Sequence, residues 1–323
     1  MNSTEKNNKN NIFRRFTQIQ ESNLIIILIV MIFGLWILND KFLSFINITN
    51  LLRQTAIIGV LAVGMTFVIL SSGIDLSVGS VLAFSSILAS QLMVAGLPIW
   101  LAILIALIAG GAIGALIGFV IHKGKVPAFI ATLGGMTIVR GLVMLMCNAQ
   151  KITGLPAAIG DFAVQRYLGI PAMVYVWFIT IFIGLFISKY TVFGRNIYAI
   201  GSNEEAARLS GIKIGINICG IYAFSAVMSS IAGILMTARL GNGVPTAGQG
   251  YELDAVAAVV VGGGSLSGAV GSIPGTVLGT IIIATIRNGG TLLGINPFIL
   301  DILVGALIVV AVLFDQLSKN KSN

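Results

Sequence analysis

The chain has 323 residues, of which 57% are hydrophobic and 9% charged, with a mean hydropathy of +1.01. Soluble domains carry about 25% charged residues, so water is excluded as the main solvent. The formal net charge of +8 does not point to nucleic acid, because the basic residues gather at the ends of apolar runs rather than in one patch.

A bilayer core takes about 20 apolar residues per helix. On that measure the chain reads as an all-α integral membrane protein with apolar segments at 23–39, 51–70, 77–95, 97–121, 126–147, 170–188, 214–237, 252–262, 269–286 and 295–314. The first segment follows Arg14-Arg15 and runs on into Asn39-Asp40-Lys41 with no small-residue cleavage pattern, so it reads as a retained span rather than a signal peptide. The segment 252–262 is much too short to cross alone. The 39 glycines suit close packing between membrane helices. No long Pro/Ser-rich linker divides the chain. The expected organisation is an N-terminal tail at 1–22, one membrane domain at 23–314 with a polar loop at 189–213, and a C-terminal tail at 315–323.

Orientation follows from Lys and Arg. With the N-terminus inside, the inner segments hold Lys6, Lys9, Arg14, Arg15, Lys123, Lys125, Lys189, Arg195, Arg208, Lys213, Lys319 and Lys321, which is 12 of 19. Lys41, Arg53, Lys151, Arg166, Arg239 and Arg287 fall on the outer side or its edge, and Arg140 lies within a span. Ten crossings then put both termini in the cytoplasm. Cys147 and Cys219 come near opposite faces and give neither a disulfide framework nor a metal spacing.

Two glycine-rich stretches echo one another. Ser71-Ser-Gly-Ile-Asp-Leu-Ser-Val-Gly-Ser80 and Gly262-Gly-Gly-Ser-Leu-Ser-Gly-Ala-Val-Gly-Ser272 each follow an apolar run, end in Val-Gly-Ser and open another apolar run. Interrupted segments at matching places in two halves are a mark of transport pathways, and glycine-rich turns also serve close packing. Asp75 suits a helix cap before Leu76-Ser77 or a contact to the pathway. Arg140 calls for a partner, with Asp75, Glu252, Asp254 and Asp301 available. Glu252 and Asp254 are placed to cap the short segment, pair with a basic residue or line the outer mouth. Asp301 suits snorkelling or pairing at the outer end of the last span. His122, the only histidine, stands beside Lys123 and Lys125 as an interfacial anchor. There is no paired metal-ligand spacing and no G-x-x-x-x-G-K-[ST] phosphate loop, so the chain is not expected to hydrolyse ATP or to bind a cofactor by itself.

The polar island Gly194–Gly211 stands between two apolar runs and contains the adjacent pair Glu204 and Glu205. Ser202 is expected to cap a short helix, with Glu205 completing a capping box and Gly211 ending it. A helix of about eight residues is not stable alone in water, which points to a partner on the inner side.

Four segments together resemble the ribose-type ABC importer permeases, whose relatives carry ribose, xylose, other sugars or a sugar-like signalling molecule. They are Ala62–Ser80, Phe129-Ile-Ala-Thr-Leu-Gly134, Gly201-Ser-Asn-Glu-Glu-Ala-Ala-Arg-Leu-Ser-Gly-Ile212 and Pro245–Gly262. The resemblance covers nearly the whole chain. It implies a permease subunit in the bacterial cytoplasmic (inner) membrane that is not itself an enzyme. It implies three partners: a second permease copy forming a homodimer, a cytoplasmic ABC ATPase that uses ATP and Mg, and a periplasmic or lipid-tethered sugar-binding protein. It further implies a coupling helix that docks on the ATPase, matched here at Gly201, Asn203, Glu204, Ala206, Ala207, Leu209 and Gly211, with Glu205 inside the block. Gly241-Asn-Gly-Val244 stands where a small-polar stretch is expected before Pro-Thr-Ala-Gly. For a neutral sugar, Ser71, Ser72, Asp75, Ser77, Thr132 and Asn148 are the expected pathway groups. The rival expectations are an ion-driven secondary transporter, which Asp75 and Arg140 would serve, and a non-transporting membrane anchor for an ATPase.

Overall fold

The computed structural model describes residues 20–320, and the basic residues Lys6, Lys9, Arg14, Arg15 and Lys321 lie outside them. Thirteen helices occur among the described residues. They are α1 (Gln20–Leu38), α2 (Phe45–Leu70), α3 (Val78–Val94), α4 (Ile99–Gly124), α5 (Ala128–Met146), α6 (Ala157–Val164), α7 (Ala172–Tyr190), α8 (Val192–Ser202), α9 (Glu204–Leu209), α10 (Ile214–Leu240), α11 (Tyr251–Val261), α12 (Ile273–Leu292) and α13 (Pro297–Asn320). A two-residue antiparallel ladder, β1 (Arg166–Tyr167) with β2 (Ile170–Pro171), precedes α7.

Each of the ten apolar segments coincides with a helix, while α6, α8 and α9 are additional. Five helices are long and apolar enough to cross a membrane by length and composition: α2, α4, α5, α7 and α10. The last helix continues to Asn320, so residues 315–320 of the expected C-terminal tail are helical. The start of the ninth segment also moves, from 269 to Ile273, because Ser272 accepts from the Gly275 N–H and Pro274 fits the first turn.

Prolines set several of the starts. Pro98, Pro127, Pro156 and Pro171 immediately precede α4, α5, α6 and α7, each with φ between −52° and −57° and an extended ψ. Proline fixes φ near this value and lacks the N–H that a helix start would leave unsatisfied. Ser44 and Thr191 cap α2 and α8 through side chains that accept from Asn47 and Gly194.

Helix α2 is the axis of the molecule. Every residue from Thr55 to Leu70 is buried, and α7, α10, α11 and α12 pack around it. The α4–α10 contact is the most extensive between two helices, and it depends on small residues. A Cβ on Gly114 would run into the Tyr222 carbonyl and the Ala226 side chain, and one on Gly118 into the Cys219 backbone. Van der Waals packing of closely approaching backbones holds membrane helices together where lipid removes the hydrophobic drive. Replacing Gly114 by Val is therefore expected to cost about 1–3 kcal/mol by overpacking, read as a lower melting temperature in detergent; an unchanged melt would show that α4 and α10 can separate without loss.

Candidate functional site

The polar island is two helices, not one. Helix α8 starts from the Thr191 cap and carries Ser202 as its last residue, so Ser202 does not cap the short helix. Asn203 does: its backbone is extended, and its Oδ1 accepts from the Ala206 N–H at 2.9 Å. Glu205 forms no capping box and pairs instead with Arg208 at 2.6 Å. That hydrogen bond raises the Arg208 pKa above its ordinary value. Gly211 ends the helix as expected, at φ +84°. The N–H of Gly211 reaches the Arg208 carbonyl and that of Ile212 the Ala207 carbonyl, which is a Schellman closure. Only Ala207 of α9 is buried. Glu204, Glu205, Ala206, Arg208 and Leu209 are exposed, Leu209 to 78%.

Behind α9 the attachment is tight. A Cβ on Gly201 would strike the Leu70 carbonyl and the Ala269 N–H, which are themselves hydrogen-bonded at 2.9 Å. The Ser72 hydroxyl lies 2.9 Å from both the Gly201 and the Ser267 carbonyl oxygens and donates to them. The Tyr198 hydroxyl, its pKa raised by burial, donates to the Gly271 carbonyl at 3.2 Å. The two echoing turns, 71–77 and 262–272, thus touch one another, and the end of α8 is wedged against both. The helix that leads into the first turn and the helix that leaves the second are joined too, through Thr66 and Thr276 hydroxyls 2.8 Å apart.

A cleft of about 830 Å³ opens beside this junction. Ser71, Ser72, Gly201, Asn203, Glu204, Glu205 and Arg208 line it, together with His122 and Lys125 from the end of α4. The His122 ring packs on Gly215.

The expected pathway residues separate into three places. Ser71 and Ser72 face the cleft. Asp75, Ser77 and Thr132 are buried behind it. Asp75 accepts from the Ser77 N–H at 2.9 Å, the Ser77 hydroxyl at 2.6 Å and the Ser225 hydroxyl at 3.0 Å, so it caps its own turn and ties it to α10. The Thr132 hydroxyl donates to the Ile74 and Ala128 carbonyls. Asn148 is exposed beyond the far end of α5, at φ +49°, roughly 28 Å along that helix from the cleft. Close by, Gly243 bridges to Ile152, and Gly241, at φ +66°, ends α10.

None of the four acids is the direct partner of Arg140. Its Nη1 donates to the carbonyls of Pro245 (2.7 Å) and Ala247 (3.1 Å), and its Nη2 to that of Gly79 (3.1 Å). Backbone acceptors carry no charge that a sequence would show. Nor does the sequence mark Ser80, Thr137 and Gln249, which join Met136, Arg140 and Glu252 around a pocket of about 390 Å³. The one sequence signal for that pocket is the glycine of Val-Gly-Ser80: a Cβ on Gly79 would meet the Gly248 carbonyl and the Glu252 carboxylate. Glu252 also accepts from the Gly250 N–H at 3.2 Å. Asp254 is fully buried and pairs with Arg287 at 2.6 Å, and Asp301 completes the group at 3.0 Å from the same guanidinium. Cys147 and Cys219 are both free thiols, and the described residues contain no cluster of three His, Cys, Asp or Glu side chains suited to a metal.

Residues 47–312 match the family described as branched-chain amino acid transport system / permease component. The chain is 46% identical over 291 residues to the ribose import permease protein of Bacillus subtilis (strain 168), covering 90% of each chain. It is 41% identical over 309 residues to the ribose import permease protein of Escherichia coli (strain K12), covering 94% of this chain and 96% of the relative. The xylose transport system permease protein of the same organism is 35% identical over 358 residues, with 92% and 91% covered. No solved structure matches significantly.

The Arg287 group makes a direct prediction. Removing one partner of a buried pair strands the other charge, so Arg287→Met is expected to lose about 3–5 kcal/mol, seen as a large drop in melting temperature. Adding Asp254→Leu to that variant should restore most of the loss; a double variant no more stable than the single one would show that the pair is not the cause.

Proposed function

The chain belongs to the branched-chain amino acid transport system / permease component family, and on that footing we propose that it is the permease subunit of an ATP-driven importer that carries a monosaccharide, D-ribose foremost, across the bacterial inner membrane. The ribose import permeases share 41–46% identity with it over most of their length, against 35% for the xylose protein, which favours ribose over xylose. The chain is a multi-pass membrane protein and a transport subunit. The partners that go with this role are an ABC ATPase, which supplies ATP and Mg chemistry, and an extracytoplasmic sugar-binding protein.

The observation that carries the reading is the 204–209 helix. It is exposed on its outer face and rigidly backed at Gly201 by both glycine-rich turns. A helix with Leu209 standing free and Ala206 allowing close approach suits insertion into a groove on a second protein. We assign Asn203, Glu204, Glu205, Ala206 and Leu209 to that contact and Gly201, Ala207 and Gly211 to holding the helix in place for it, with the loop 189–213 and both termini in the cytoplasm. Ten crossings fit if the eighth is composite. Helix α11, with 11 residues, is only about 16 Å long, and the strap 241–250 makes up the rest. The strap passes from Ser90, which Gly243 abuts, to Gly79, which Gly248 abuts. The homodimer is supported by α5, which leaves Ile130, Ile138, Leu142 and Leu145 exposed, with open space at Gly134 and Gly141.

In this reading, ATP binding and hydrolysis in the partner move α9, and the Gly201 junction passes that motion to the turns and the cleft beside Ser71 and Ser72. Leu209→Asp and Glu204→Arg are expected to leave membrane insertion intact and to reduce ATP hydrolysis stimulated by the binding protein roughly tenfold, the scale of losing an interface anchor. Co-purification with the ATPase should weaken in parallel. Full stimulation in both variants, or in Gly211→Pro, would count against α9 as the docking element.

A further inference from the structure

The pocket around Arg140 stands apart from the cleft and from the coupling helix. Its walls come from the start of α3 (Ser80), the middle of α5 (Met136, Thr137, Arg140) and the junction of the strap with α11 (Gln249, Glu252). Arg140 is about 18 Å along α5 from Ala128, so the pocket lies about two-thirds of the way along that helix from the cleft. It is also where the composite crossing changes from strap to helix.

Several features of this pocket are those of a binding site. Ser80 is completely buried, lines the pocket, and its hydroxyl has no hydrogen-bond partner. A buried hydroxyl without a partner is costly, and a ligand hydroxyl would relieve it. Arg140 gives three of its five N–H groups to backbone carbonyls, which fixes the guanidinium and leaves two donors. Glu252 supplies carboxylate acceptors, Gln249 both a donor and an acceptor, and Met136 an apolar wall. The volume of about 390 Å³ falls within the ~300–1,000 Å³ of small-molecule sites.

Charge narrows the ligand class. One cation and one anion face the pocket, which leaves no net charge to favour an ion. Arg140 is held by three carbonyls and Glu252 by the Gly250 N–H, so neither is free to reorient onto the two ends of a zwitterion. Dense donors and acceptors beside an apolar wall suit a neutral polyhydroxylated molecule.

We propose that the Ser80–Thr137–Arg140–Gln249–Glu252 pocket is the point in the membrane where the permease itself contacts a neutral monosaccharide during its passage. The inference rests on the sugar-import reading and deepens it, because it puts a contact inside the permease in addition to any on the binding protein. Arg140 is the positioning residue, clamping strap, α3 and α5 together, while Ser80, Thr137, Gln249 and Glu252 touch the sugar.

The test uses the assembled importer, permease with its ATPase and binding protein, in sealed vesicles, with labelled D-ribose and labelled L-leucine as probes. Gln249→Leu, Thr137→Val and Ser80→Ala are compared with the unaltered chain for uptake, for stimulated ATP hydrolysis and for thermal stability. Each is expected to lower ribose uptake roughly fivefold, the worth of one hydrogen bond, while ATP hydrolysis remains within about twofold. Ser80→Ala is the decisive variant. Removing an unpartnered buried hydroxyl should leave the melting temperature the same or higher, so a loss of uptake cannot come from a weakened fold. Ribose uptake by all three variants at the unaltered rate would overturn the pocket and leave the importer reading standing. No ribose uptake by the unaltered importer, or ATP-driven uptake of leucine in its place, would overturn both.

Discussion

Lipid offers no hydrogen bonds, so every peptide group that leaves a helix at membrane depth must find its partner within the chain. Among the segments that join the helices, the turns 71–77 and 262–272 and the strap 241–250 are held closely against the helices and one another. Their satisfaction organises the molecule. The turns bond to each other through Leu70, Ala269, Ser72 and Ser267. Asp75 holds its turn closed and ties it to α10. Arg140 gathers the strap by two of its carbonyls and the start of α3 by a third. A charge that would be expensive in lipid becomes a multiple donor for backbone oxygens that lipid would leave bare.

The same economy of space explains the glycines. Backbone approaches backbone at Gly201, Gly262, Gly275 and Gly279, each of which would collide with a carbonyl if it carried a Cβ. Contacts this close have little compliance, because packed interiors transmit displacement rather than absorb it. In the proposed importer that stiffness is useful. A shift imposed on the exposed 204–209 helix reaches Gly201, and from there both turns and the helices they open, with no soft side chain between. In that proposal the cleft at the junction and the pocket at Arg140 would be two polar stations on one route, with the buried Asp75 turn between them.

Much of this architecture is legible in the sequence. Apolar length alone marks the ten segments, Gly211 marks the end of the short helix, and the repeated Val-Gly-Ser marks the two turns that meet in space. What is not legible depends on backbone geometry or on distant neighbours. Ser202 and Asn203 are both good caps by type; Asn203 prevails because α8 runs through Ser202 and the extended backbone comes one residue later. Charge counting offers four acids to Arg140, yet its partners are carbonyls about 60 to 107 positions away, which carry no mark in a sequence. Arg287 reads as an outer-edge cation and proves to be the counter-charge of the buried Asp254. The sugar-facing role assigned to Ser80 is invisible in composition, since a membrane serine is more often bonded back to its own helix.

In the proposed importer this chain moves sugar only when a partner ATPase acts on it. The direct measurement is labelled D-ribose uptake into vesicles holding the permease, with the ATPase, ATP and the proton gradient each supplied or withheld. Uptake is expected to require ATPase and ATP together and to survive collapse of the gradient. Uptake that persists without ATPase and ATP but stops when the gradient collapses would contradict it and make the protein an ion-driven transporter.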